Sequence, residues 1–197
     1  MRLLVAFAIF ALSIRVMAQS SPPAKTEKRV YDILDAAASE LWSQTDVYWH
    51  KGQHYHVMSL LYMLIEIDPQ GLTAYDNLGW LLESNHKDAQ AIEIYKLAIK
   101  NNPNSWEPYF DLGNYYYNKK QYDLAIVPLK ASTERVPSNS NPWRLLAHSY
   151  TKLDRLEEAL EVWNKILMAD PKDVAAKLNR DEVKAMIEAK ASEEKPK

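Results

Sequence analysis

Four prolines, Pro69, Pro103, Pro137 and Pro171, stand 34 residues apart. A fixed period of this length marks a repeat architecture, in which each unit is one supersecondary motif stacked on its neighbours. Aligning on the prolines gives four registers, 38–71, 72–105, 106–139 and 140–173. In the second, Tyr75, Leu78, Gly79, Leu82, Ala91, Tyr95, Ala98 and Pro103 hold positions 4, 7, 8, 11, 20, 24, 27 and 32. The third follows with Tyr109, Leu112, Gly113, Tyr116, Ala125, Leu129, Ser132 and Pro137. The fourth carries Trp143, Leu146, Ala147, Tyr150, Ala159, Trp163, Leu167 and Pro171. The first is degenerate: Leu41, Gln44, Thr45, Tyr48, Val57, Leu61, Leu64 and Pro69, with Gln44 and Thr45 where Leu and Gly stand elsewhere.

Each unit divides into two amphipathic stretches of about 13 residues at helical period. Leu78 and Leu82 share one face, as do Ala91, Tyr95 and Ala98. Small residues at positions 8 and 20, Gly79 with Ala91 and Gly113 with Ala125, predict a close helix crossing. A hairpin of this kind cannot bury its second face alone and stacks on the next unit. The position-32 prolines end each second helix. Ser105 and Asn141-Pro142 read as helix starts, and Pro108 falls in a first turn. Pro128 lies inside a helix and is expected to bend it. Residues 27–51 read as one long first helix, continuing the stripe of Val30, Ile33, Leu34, Ala37 and Leu41. A capping helix is expected over 174–190, with Lys177, Arg180 and Asp181 at core-type positions because no further unit covers it, and 191–197 as a tail. The fold class is therefore all-α.

Ahead of this domain, Met1-Arg2 is followed by an apolar run from Leu3 to Ile14 and by Val16-Met17-Ala18. A positive start, a short apolar stretch and a small residue at the end predict a signal peptide over 1–18, cleaved after Ala18. The run is shorter than the roughly 20 residues a membrane span needs. An uncleaved N-terminal anchor, favoured by Arg15, is the alternative. Residues 19–26, with Pro22-Pro23, read as a flexible lead. The expected location is periplasmic or secreted, with no stable membrane span after cleavage.

The repeat pattern resembles the tetratricopeptide repeat, with its 34-residue period and Trp-Leu-Gly-Tyr-Ala-Phe-Pro signature. The resemblance covers the four registers and implies a right-handed α-solenoid of antiparallel helix pairs. It also implies that positions 2, 5, 6, 9, 12 and 13 of each unit line a concave groove. The residues singled out there as a partner-binding groove are Trp42, Asp46 and Trp49 from the first unit, and Asp76, Asn77, Trp80 and Glu83 from the second. The third contributes Phe110, Asp111, Asn114 and Tyr117, with Glu107 beside them, and the fourth Arg144 and His148, with Lys152 at the far end. Family members that clamp a carboxyl terminus use lysines at set groove positions. Here Trp42 and Asp76 stand in their place, so that clamp is not expected.

The remaining composition excludes more than it suggests. The absence of cysteine removes disulfides, thiol catalysis and zinc ribbons. Four glycines are too few and scattered for a phosphate-cradling loop. A net charge of −2 offers no basic excess for nucleic acid. No nucleophile elbow occurs, and neither a catalytic residue nor a cofactor is expected. The expected function is an exported module that binds a peptide or partner protein bearing Lys or Arg beside Pro or aromatic residues. Two alternatives stay open: a carbohydrate- or peptidoglycan-binding module using the tryptophan platform, and a metal-handling protein using His50, His54 and His56. The sequence leaves the oligomeric state open.

Overall fold

The structure, a computed structural model, describes residues 24–136 and 138–193. The expected signal segment 1–18 and Pro137 lie outside them. Among the described residues the chain is nine helices without a strand. They are α1 (Ala24–His50), α2 (His54–Ile67), α3 (Leu72–Ser84), α4 (Asp88–Asn101), α5 (Glu107–Asn118), α6 (Tyr122–Arg135), α7 (Ser140–Lys152), α8 (Leu156–Ala169) and α9 (Val174–Glu193). Each helix packs on its predecessor, and the first helices of successive units also touch, α3 on α5 and α5 on α7. This is the stacked-hairpin solenoid, with its first helices side by side along one face.

The turn inside each unit repeats as strictly as the prolines. Gly52, His86, Lys120 and Asp154, 34 residues apart, all adopt left-handed φ values, between 57° and 67°. The following amide closes each turn: Gln53 N–H on Tyr48 O, Lys87 on Leu82, Gln121 on Tyr116 and Arg155 on Tyr150. This six-to-one bond satisfies a carbonyl that the helix end would leave orphaned. Only the first unit uses glycine there, so the sequence carries no glycine signal for the other three.

The second helices end at Ile67, Asn101, Arg135 and Ala169, two residues before each position-32 proline. The proline carbonyl then becomes an acceptor for the next unit: Tyr75 Oη donates to Pro69 O (3.0 Å) and Tyr109 Oη to Pro103 O (3.1 Å). The position-4 tyrosine thus fastens one hairpin to the preceding one.

Several boundaries differ from expectation. α1 begins at Ala24, within the stretch expected as a lead, where Lys28 and Asp32 form an i,i+4 pair (2.9 Å). α9 runs to Glu193, past Lys190, through good helix formers of the expected tail. Asn139 rather than Asn141 caps α7, accepting Asn141 N–H (3.0 Å), and Trp106 rather than Ser105 precedes α5. Pro108 and Pro142 both fall in first turns, where no intrahelical donor is missed. Pro128 is buried inside a continuous α6. At position 27 of the last unit the buried residue is Ile166, not Leu167, which is only partly covered. The core face of α9 is Ala176, Val183, Met186 and Ile187, while Lys177 and Asp181 are exposed.

The close helix crossing is real, but its partner is position 24 rather than position 20. A Cβ at Gly79 would lie 2.5 Å from the Tyr95 ring, and one at Gly113 2.6 Å from Leu129, with the Leu129 backbone nitrogen at 3.3 Å. Gly113→Leu is therefore expected to cost about 1–3 kcal/mol through overpacking. Thermal melts check this: in a domain of this size the midpoint should fall by about 2–4 °C per kcal/mol. An unchanged midpoint would contradict the crossing.

Candidate functional site

The groove residues do not share one environment. At its N-terminal end Trp42, Asp46 and Trp49 on α1 meet Asn77 and Trp80 on α3 around an open pocket of about 280 Å³. Thr45, Val57 and Leu81 complete its walls. Trp42 packs partly on the core, whereas Trp49 and Trp80 are 43% and 53% exposed. Their ring centroids are 5.7 Å apart with planes at 44°, so two indoles from successive units form a V open to solvent. Thr45, Val57 and Leu81 are the part that groove numbering alone misses: Thr45 and Val57 come from pattern positions 8 and 20 that elsewhere serve the core, and Leu81 from position 10, which neither pattern includes.

Toward the middle the groove is acidic. Asp76 on α3 and Asp111 on α5 lie within hydrogen-bonding reach, with Glu83 and Glu107 nearby. Glu83 accepts the Tyr95 hydroxyl. Among the described residues none of these four carboxylates has a lysine or arginine ion-pair partner. Burial, then the Asp76 charge and the Glu107 and Glu83 charges, push Asp111 up to about 8. Asp76 is raised too, chiefly by burial. The pair therefore holds a proton at neutral pH, because two facing carboxylates cannot both ionise cheaply.

The sign of the linkage follows. Below the ordinary carboxylate range Asp111 is neutral folded or unfolded, and the pair costs nothing. Between about pH 4 and 8 the unfolded chain releases this proton and the folded chain keeps it, so stability falls as pH rises. Asp111→Asn should match the parent below pH 4. At pH 8 to 9 it should melt about 2–4 °C higher, the equivalent of roughly 1 kcal/mol after discounting for solvent screening. Melting curves across this range check it, and parallel profiles would dismiss the shared proton.

Phe110, Asn114 and Tyr117 on α5 are each half-buried. Phe110 packs toward Trp106 (5.9 Å), and Tyr117 edge-on to Tyr122 (5.3 Å). These two rings contribute to walls more than to an open platform. The C-terminal end is already occupied by α9. Arg144, expected as a groove cation, forms an ion pair with Asp173, whose other oxygen accepts Ala176 N–H (2.9 Å) at the start of α9. His148, expected as a groove contact, sits edge-on to Trp163 (5.0 Å), and burial lowers its pKa, with Lys152 and Arg144 adding to the effect. Arg144 thus fastens the cap, while His148 packs within the last hairpin.

The three clustered histidines do not converge. His50 Nδ1 is 2.9 Å from Asp46 O, His54 stacks on Trp49 (5.5 Å) and His56 on Tyr48 (4.9 Å). Among the described residues no three His, Cys, Asp or Glu side chains are grouped to hold a metal ion. The metal-handling alternative therefore lacks its donor set. Among the same residues no helix is long and apolar enough to cross a membrane.

Comparison with known proteins places this geometry. Residues 50–194 match the family described as ChAPs, the Chs5p-Arf1p-binding proteins. The chain is 28% identical over 156 residues to the Protein CTR9 homolog of Arabidopsis thaliana, covering 76% of this chain and 14% of that protein. It is 27% identical over 111 residues to BBSome complex member BBS4 of Xenopus tropicalis, covering 56% and 22%. It thus spans less than a quarter of the length of either relative. In structure it is similar to MamA from Desulfovibrio magneticus RS-1, with TM-score 0.62, 18% identity, and 77% and 85% of the two chains covered. It is also similar to YrrB, described as a TPR protein with an unusual peptide-binding site, with TM-score 0.57, 20% identity, and coverage of 78% and 83%. At these identities the likeness shows the fold: a solenoid of tetratricopeptide-type repeats.

Proposed function

The chain belongs to the ChAPs family, and from that premise we propose that it is a non-catalytic protein–protein interaction module, exported after loss of residues 1–18. It holds an extended partner segment with Lys or Arg beside Pro or aromatic residues. The observation that carries this reading is the row of carboxylates without cationic partners, Asp76, Glu83, Glu107 and Asp111, running on from the open tryptophan pocket. A basic segment would supply the missing counter-charges and displace the shared proton. The family's description as binding proteins and the peptide-binding site named for YrrB support a groove-bound partner. The carbohydrate reading keeps one observation in its favour, because Trp49 and Trp80 with Asp46 and Asn77 also make a stacking platform.

Salt separates the two. Peptides selected from a displayed library should be basic and aromatic or Pro-containing, and their affinity should fall at least about tenfold on raising salt from about 0.05 to 0.5 M, since surface charge contacts are screened. Oligosaccharide binding indifferent to salt would transfer the groove to the carbohydrate reading. Selection of acidic peptides, or of none, would overturn the proposal. Mass spectrometry of the exported protein tests the leader, with an N-terminus at Gln19 expected.

A further inference from the structure

Resting on the groove reading above, we propose that the pocket between Trp49 and Trp80 receives an arginine side chain of the partner, stacked on the indoles with its guanidinium at Asp46. Trp42 and Leu81 offer apolar wall to an alkyl stem, and the two exposed indoles offer π faces. The His54 ring, which is not part of the lining, stacks on Trp49 with 28° between planes and steadies the indole. Among the described residues Asp46 is the only charged residue in the lining, and its ion-pair neighbour is the exposed His50 at 3.4 Å. The Thr45 hydroxyl is committed to Leu41 O (2.8 Å). Beside it, the lining offers an occupant the exposed Asp46 carboxylate and the Asn77 amide.

That combination selects among occupants. A proline or aromatic side chain would cover the indoles but offer no donor to the exposed Asp46 carboxylate at the pocket's edge. A lysine ammonium is a compact, strongly hydrated charge, whereas guanidinium is planar, weakly hydrated and stacks on aromatic faces while bonding a carboxylate. The protein sets both kinds of cation over its own rings, and the guanidiniums sit closer than the lysine ammoniums, which lie 4.9 to 5.9 Å from the centroids of Tyr55, Tyr115 and Trp143. The Arg155 guanidinium lies 4.7 Å from the Tyr150 ring centroid and pairs with Glu158, and Arg135 lies 3.9 Å from that of Tyr109. The charge of the neighbouring groove, Asp76, Glu83 and Asp111, points the same way.

The test titrates the full chain with N-acetyl-arginine amide and follows the six indole N–H resonances by NMR. The signals of Trp49 and Trp80 should shift saturably. The uncharged citrulline analogue should bind at least about tenfold more weakly, and Asp46→Asn, at an exposed position, should weaken arginine at least about fivefold. Equal binding of citrulline, equal or tighter binding of N-acetyl-lysine amide, or response to chito-oligosaccharide alone would overturn the proposal. The two readings fail separately. A library peptide that binds the groove but tolerates Arg→citrulline within about twofold sinks the arginine pocket and spares the groove. Arginine amide titrating both indoles while no peptide binds sinks the groove and spares the pocket.

Discussion

Trp163→Ala is expected to lower unfolding free energy by about 3–5 kcal/mol, the largest single-residue loss we anticipate. Trp163 is fully buried on α8, at position 24 of the last unit, in the cluster that includes Leu146, Ala147, Val162, Ala176 and Val183. Removing it leaves a void that two flanking helices and the cap cannot close without shifting. Among the described residues its buried indole N–H has no acceptor, so the ring holds its place by packing and by the edge-on His148 contact. Trp163→Phe, which deletes that orphaned donor and keeps most of the volume, should cost markedly less. Denaturant unfolding of both variants checks the order, and a loss below about 1 kcal/mol for alanine would contradict the packing.

Trp80→Ala should behave in the opposite way. Its ring is 53% exposed and makes its closest aromatic contact with another exposed ring, Trp49. Stability should change by no more than about 1 kcal/mol, within the range of surface substitutions that break little packing. Binding of a groove peptide should weaken by about 2 kcal/mol or more, roughly 30-fold, as loss of an aromatic anchor does at an interface hot spot. A melting curve beside a titration on the one variant decides it. A large stability loss would return Trp80 to the core, and unchanged binding would move the partner to another face.

The contrast between these two tryptophans shows how far the sequence reaches. Period, hairpin count and the buried set Leu78, Ala91, Tyr95, Leu129 and Trp163 are legible because they are local. Each unit repeats the same contacts with its neighbours, and apolar residues at helical spacing have only one seam to fill. That Asp76 and Asp111 stand on the first helices of neighbouring units was equally readable, since both follow from position within the unit. Their shared proton was not, because it depends on how closely α3 and α5 approach.

Position alone could not say which groove residues remain free. Trp80 and His148 both stand at position 9 of their units, yet one is open and the other lies against Trp163 under α9. Arg144 reads as a cation for a partner until Asp173, 29 residues on, takes it at the start of the cap. The left-handed turns at His86, Lys120 and Asp154 likewise lack the glycine that would announce them, and His and Asp only favour that conformation weakly. The sequence by itself determined the repeat and the chemistry carried on each helix face, because both are set by spacing within one unit. The tertiary structure alone decided which of those faces is covered, because exposure depends on what the neighbouring units and the capping helix place over it.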